Sequence, residues 1–254
     1  MILYYSGCGN SRYVAEKLSA SLNERLVFIP QAARAGEYDI RLEPGEKLGF
    51  VWPVYCWAPP QLVLDYVSKL RVSGAGYVYL VMTYGDNAGL TEKVFRKALA
   101  DVGLSLDAAW GVQMPETYIQ MAGMNLDTDA GAEKKIRAAE KRVESIAEAV
   151  KTGVSCSDVE VGSTPWLKTA VVKPLFYKLM VTDRKWNVND SCIACGKCAQ
   201  VCPLENISLE DGRPLWHGNC TSCNACYHSC PVNAIHFGKA TIGKGQYRID
   251  KFLK

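Results

Sequence analysis

The sequence predicts an α/β fold: a doubly wound parallel sheet followed by a second, smaller α+β domain. Three observations predict it. Strand-like apolar runs alternate with helical patterns from Ile2 to Val150, each run stops at a loop rich in Gly, Pro, Asn or aromatic residues, and the last quarter of the chain carries one cysteine-rich unit written twice. Strands alternating with helices favour a parallel sheet covered on both faces, because a parallel crossover needs about a helix's length of chain.

Residues 2–5, Ile-Leu-Tyr-Tyr, form the first apolar run, which ends at Ser6-Gly7-Cys8-Gly9-Asn10-Ser11. Val14, Leu18 and Leu22 then recur at four-residue spacing, so 11–22 is expected to be helical. Residues 25–29 predict strand two. Residues 47–52 predict strand three, ending in Pro53-Val54-Tyr55-Cys56-Trp57-Ala58-Pro59-Pro60, with a helix over 59–70. Residues 77–82 predict strand four, ending in Thr83-Tyr84-Gly85-Asp86-Asn87, with a helix over 87–102. Residues 105–112 predict strand five. In the last helix, 129–150, Ile136, Ala139, Val143, Ile146 and Val150 share a face with charges between them, which reads as packing.

Loop 6–11 lies between a strand end and a helix N-terminus, where first-turn N–H groups lack partners and the dipole favours an anion. A dinucleotide fingerprint fails, since Arg12 stands where a third Gly belongs, and no triphosphate loop motif follows any strand. A loop of hydroxyl, Gly and Asn residues instead suits a monophosphate. Ser6-x-Cys8-Gly9-Asn10-Ser11 resembles the phosphate loop of the flavodoxins. The resemblance implies a flavodoxin-like five-stranded sheet of order 2-1-3-4-5 over residues 1–152, with FMN beyond the carboxyl ends of the strands. It implies FMN contacts from Ser6, Cys8, Gly9, Asn10 and Ser11, from Pro53, Val54, Tyr55, Cys56 and Trp57, and from Thr83, Tyr84, Gly85, Asp86 and Asn87. The flavin ring is expected between Tyr55 or Trp57 and Tyr84. Cys8 departs from the family, which carries Thr or Ser there; a weak S–H contact replaces a hydrogen bond to phosphate worth about 1.5 to 3 kcal/mol.

The duplicated unit reads Cys192-Ile-Ala-Cys195-Gly-Lys-Cys198-Ala-Gln-Val-Cys202-Pro203 and Cys220-Thr-Ser-Cys223-Asn-Ala-Cys226-Tyr-His-Ser-Cys230-Pro231. Three thiols at i, i+3 and i+6 let a short loop wrap a cube and reach three of its irons, and a distant Cys-Pro completes the set. In the two-cluster pattern the fourth donor comes from the other motif. That assigns Cys192, Cys195, Cys198 and Cys230 to one 4Fe-4S cluster and Cys202, Cys220, Cys223 and Cys226 to a second. Structural zinc explains paired C-x-x-C elements but not the third close cysteine. The repeat continues into the apolar tails Ile207-Ser-Leu209 and Ile235-His-Phe237, expected to cover the clusters as short strands. This stretch resembles the bacterial-type two-cluster ferredoxins, assigned here to 186–254.

Between these domains, 153–185 is a connector. Ser163-Thr164-Pro165 signals a helix start, and Trp166, Leu167, Ala170, Val171, Leu175, Leu179 and Met180 form an apolar stripe bordered by lysines and bent at Pro174. It is expected to pack the two domains together, with lipid as the competing partner. Of the cysteines left over, Cys8 and Cys56 lie in the flavin loops and raise the idea of a redox-active thiol; Cys156 suggests nothing. His228 is expected at the surface.

The chain has 254 residues, 48% hydrophobic and 22% charged, with a net charge of +3 and no block of clustered Lys and Arg. Nucleic acid is therefore excluded as a partner class, and no apolar run is long enough to span a bilayer. Without a signal segment, a cytoplasmic protein is expected. The two resemblances together describe an iron-sulfur flavoprotein, a flavodoxin–ferredoxin fusion. That implies electron transfer between two 4Fe-4S clusters and FMN, with a ferredoxin or reductase as redox partner and a possible small-molecule acceptor. A reductase walled by Trp57, Tyr84, Tyr118 and Met121, and a redox sensor, are the alternatives. Nicotinamide cofactors are not expected.

Overall fold

The computed structural model describes residues 1–253. Its first lobe runs β1 (Ile2–Tyr4), α1 (Asn10–Leu22), β2 (Leu26–Phe28), α2 (Ile29–Ala35), β3 (Asp39–Arg41), β4 (Leu48–Pro53), α3 (Gln61–Val67), β5 (Arg71–Ser73), β6 (Val78–Tyr84), α4 (Thr91–Ala100), β7 (Ala108–Gln113), α5 (Asp129–Thr152) and β8 (Cys156–Asp158). The central sheet has six strands in the order β2-β1-β4-β6-β7-β8, every neighbouring pair parallel.

Strand alternation explains the layers. Leu3, Tyr5, Phe50, Trp52, Leu80 and Met82 point to one face and pack with α2, α3 and α4. Ile2, Val51, Tyr79 and Val81 point to the other and pack with α1 and α5. The expected last helix is the best-formed: Thr128 caps it by accepting from the Gly131 N–H at 3.2 Å, and Ile136, Ala139, Val143, Ile146 and Val150 are all buried.

The sheet corrects the five-strand expectation. Cys156-Ser-Asp158 adds a sixth strand beyond β7, and β3 and β5 pair as a separate two-stranded ribbon. These segments are three residues long and mostly polar, so they carry no periodic signal. Strand two is also shorter than expected, because Ile29 and Pro30 open α2, where proline suits the first turn.

The second lobe holds two antiparallel pairs: β9 (Trp186–Val188) with β12 (Ile235–Phe237), and β10 (Ile207–Glu210) with β11 (Arg213–Trp216). Asp211 and Gly212 turn the latter hairpin with φ of 48° and 76°, the left-handed pair that a two-residue turn demands. The short helices α8 (Lys197–Gln200) and α9 (Ala225–Ser229) follow the two cysteine loops.

The connector forms one rod: α6 (Pro165–Leu167), a π-helical segment over 168–172, and α7 (Lys173–Met180). It packs on the first lobe only through part of its surface. The Thr169 hydroxyl donates to the Trp57 carbonyl at 3.1 Å, and the Phe176 ring meets Tyr118 edge-on at 5.6 Å. The expected buried stripe is instead turned outward: Trp166 is 67% exposed, and Leu167, Val171, Leu175 and Leu179 are exposed with it. The rod still reaches the second lobe at its end, where Met180 packs on that lobe's core and its carbonyl accepts from the Ser222 hydroxyl at 3.2 Å. Other contacts that join the lobes come from loop 6–11, from Arg34, whose guanidinium donates to the Pro203 carbonyl at 2.8 Å, from the loop between β7 and α5 and from the C-terminal tail. Ile119 is buried in the second lobe's core, while Ile249 and Phe252 pack back against the first.

Candidate functional site

The duplicated sequence builds a duplicated backbone. Ala194, Gly196 and Glu205 have positive φ, and so do Ser222, Asn224 and Asn233, each 28 positions later. Left-handed residues at these points turn successive N–H groups into the concavity of each loop, the geometry that surrounds an anionic centre. Several N–H groups reach sulfur: Ala234 to Cys230 Sγ at 3.2 Å, Asn206 to Cys202 Sγ and Ser222 to Cys220 Sγ, both at 3.3 Å.

Cys192, Cys195, Cys198 and Cys230 line one hollow, and Cys202, Cys220, Cys223 and Cys226 line a second. Each measures about 330 Å³, counting the space open to solvent. The sulfurs stand around a space instead of meeting at a point; among the described residues no group of three or more Cys, His, Asp or Glu is drawn together tightly enough for a single ion. Ile207 covers the second hollow and Ile235 the first.

The two hollows differ in their walls. The first is apolar apart from its cysteines and Lys197, with Ile193, Leu209, Pro214 and Val232 around it, and its Cys195 is exposed. The second lies deeper. Trp186 and Trp216 stack at 9° with centroids 6.4 Å apart and line it, and both indole N–H groups are buried without a partner among the described residues. Burial pushes the Cys223 thiol up to about 12, with Cys220 and Cys202 adding to the rise, and raises Cys226 well above the ordinary thiol range. Crowded buried thiols with unpaired N–H donors nearby are poorly served by one another; a metal-sulfide cube would accept both the thiolates and the donors. The residues present therefore fit such clusters.

The three loops expected to hold FMN do converge at the carboxyl edge of the sheet. Most of their polar side chains are engaged by the chain itself. Ser6 Oγ accepts the Gly9 N–H at 3.1 Å, and the Cys8 thiol donates to the Cys223 carbonyl at 2.9 Å. Asn10 donates to the Pro115 carbonyl at 2.9 Å and accepts from the Tyr247 hydroxyl at 2.7 Å. Ser11 and Thr83 hydroxyls bond each other at 2.7 Å in a buried setting. Tyr55 hydrogen-bonds Tyr5 at 3.1 Å, and the Asn87 amide donates to Asp86 at 2.5 Å. The expected ring sandwich is not formed. Tyr84 lies across Gly111 and its hydroxyl accepts from the Glu160 N–H at 3.3 Å, while Trp57 packs on Gly89 beneath the Lys168 ammonium. Pro53 and Val54 belong to the end of β4 and its neighbour, Val54 donating its N–H to the Thr83 carbonyl at 2.8 Å; the Gly85 carbonyl accepts from Gln113 at 2.9 Å. As folded, loop 6–11 offers no open cradle to a flavin phosphate, so the residues do not fit FMN in this arrangement.

Cys56 is half-buried, and burial pushes its thiol up to about 11 against the opposing pull of Lys173. Cys156 lies in β8. His228 corrects the surface expectation: it is 2% exposed. Its Nδ1 accepts the Tyr247 N–H at 3.1 Å, and its Nε2 donates to the Thr117 carbonyl at 2.9 Å. Burial holds its pKa down at about 4, so the neutral ring bridges both lobes. Asn224 continues the bridge, donating to Thr117 at 3.2 Å and accepting from Gln120 at 2.7 Å. Sequence reasoning missed Trp186, Trp216, Tyr5 and Thr117. The tryptophans flank the two motifs and could have been found by position; Thr117 acts through its backbone and leaves no signal.

No curated protein matches the chain. Similar solved structures include the Trp repressor binding protein from Bacillus subtilis, at 12% identity and a TM-score of 0.35 over 56% of this chain and 95% of that one. An FMN-dependent NADH-azoreductase from Bacillus anthracis aligns at 10% identity and a TM-score of 0.37, over 59% and 98%. Rubredoxin oxygen:oxidoreductase from Desulfovibrio gigas aligns at 18% and 0.34, over 60% of this chain and 36% of that one. Residues 191–235, which contain every cysteine of both hollows, match the family model of the 4Fe-4S dicluster domain.

Proposed function

We propose that the protein is an electron-transfer protein holding two 4Fe-4S clusters, with Cys192, Cys195, Cys198 and Cys230 on the first and Cys202, Cys220, Cys223 and Cys226 on the second. The observation that carries this is the sorting of eight cysteines into two four-cysteine hollows, each drawing its fourth member from the other motif. A cluster in each hollow would supply a one-electron couple. The chain's own residues would set the rest: the loops aim N–H groups at sulfur, the apolar tails exclude water, and the exposed Cys195 rim gives a redox protein access to the first centre. FMN as the acceptor is the further expectation from the first lobe. Its three loops share one edge of the sheet, but they are closed as folded, and no step is assigned to a flavin.

Anaerobic reconstitution followed by iron and sulfide analysis tests the proposal. About eight irons and eight sulfides per chain are expected, with two reducible centres in the electron paramagnetic resonance spectrum. About two zinc ions per chain, retained in preference to iron, would refute it.

A further inference from the structure

We propose that loop 6–11, shaped like a phosphate cradle, is in this chain the seat of the second cluster's ligand loop, and that the folded protein takes no flavin phosphate there. The proposal rests on the two-cluster reading above. Three independent observations support it.

The first is steric. A Cβ placed on Gly7 would stand 2.6 Å from the Cys223 Cβ and 3.2 Å from the Tyr55 hydroxyl, and one on Gly9 would stand 2.9 Å from the Ile249 side chain. The ligand loop and the C-terminal tail thus touch the backbone of the cradle itself. Gly7 is required for that approach.

The second is hydrogen bonding. The side chains a phosphate would use are already paired within the chain: Ser6 with the Gly9 N–H, Cys8 with the Cys223 carbonyl, Asn10 with Pro115 and Tyr247, and Ser11 with Thr83. Cys8 occupies the position where flavodoxins carry a hydroxyl, and its S–H is spent on the ligand loop. A weak donor suits a neutral carbonyl better than it suits a phosphate dianion.

The third is electrostatic. A cube held by four thiolates is anionic overall, and a phosphate dianion in the adjoining cradle would be repelled across a short, buried distance. What the first lobe presents instead are phenol donors. The Tyr5 and Tyr55 hydroxyls bond each other at 3.1 Å, and the Tyr55 hydroxyl stands 3.2 Å from the same point beside Gly7 that the Cys223 Cβ approaches to 2.6 Å, so the phenol pair faces the ligand loop. Hydrogen bonds to cluster sulfur favour the reduced, more negative state and raise the potential. Neither tyrosine lines either hollow, and the ligand loop they adjoin is that of Cys223, so Tyr5 and Tyr55 are positioning residues for the second centre.

The test uses the full-length protein, reconstituted anaerobically and mixed with excess FMN before gel filtration, with iron and sulfide measured on the same fractions. No flavin is expected to co-elute. In a redox titration read by electron paramagnetic resonance, Tyr5→Phe and Tyr55→Phe are expected to move the second centre to a more negative midpoint and leave the first unmoved. One FMN per chain co-eluting with both clusters would overturn the proposal, and so would midpoints indifferent to both substitutions. A shortfall of iron in the wild-type chain would count against the two-cluster reading instead; the flavin measurement decides the occupancy of the loop in either case.

Discussion

At the scale of single residues, the chemistry is concentrated in side chains whose roles separate cleanly by substitution. Cys223→Ser is expected to remove about four of eight irons and the deeper centre while the Cys195 centre survives, checked by iron content and by the remaining spectrum. Loss of both centres together would show that they do not assemble independently. Cys56 has no such role. With its thiol raised to about 11, roughly one molecule in a thousand is thiolate at pH 8, so alkylation by iodoacetamide is expected to be negligible there and to rise about tenfold per pH unit. Fast labelling at pH 8 would restore the redox-active reading of this cysteine. The cysteine ligands were legible in the sequence because their spacing is itself the chemistry. The burial of His228 was not, since its partners Thr117 and Tyr247 lie 111 and 19 residues away and one of them acts through a carbonyl, the other through an N–H.

At the scale of elements, the strands that carry long apolar runs, β4 and β6, were evident, and α5 was evident from its period. Segments of three residues such as β8 were not, because pairing with β7 and not composition makes them strands. Thr128→Ala removes the cap of α5 and is expected to cost about 1 kcal/mol in denaturant unfolding; no change would mean that the cap bond is not formed in solution. Gly7→Ala sets a methyl group against the Cys223 loop and is expected to destabilise by about 1 to 3 kcal/mol, with chelators stripping the second centre faster than the first. Equal stripping rates would place the strain elsewhere. The connector rod shows the limit of amphipathic patterning. Its stripe was visible, but whether a stripe faces protein or solvent depends on what the fold brings opposite to it. Because Leu175 and Leu179 face outward, replacing either with Glu is expected to change stability by less than about 0.5 kcal/mol.

At the scale of the whole molecule, two resemblances legible in separate stretches of sequence do not disclose how the lobes meet. The contact that closes loop 6–11 joins Cys8 to Cys223 across 215 positions, and no local pattern encodes it. Ile119 crossing one way and Ile249 with Phe252 crossing the other tie the lobes into one unit. A single calorimetric transition is therefore expected, with iron release coinciding with loss of helical circular dichroism; two separated transitions would show the lobes to be independent. The unequal depth of the two hollows has a practical corollary. With the inner centre walled by stacked indoles and the outer one open at the Cys195 rim, the wiring is a cul-de-sac: oxidants from solution reach the rim first, and bleaching should proceed from the outside inward.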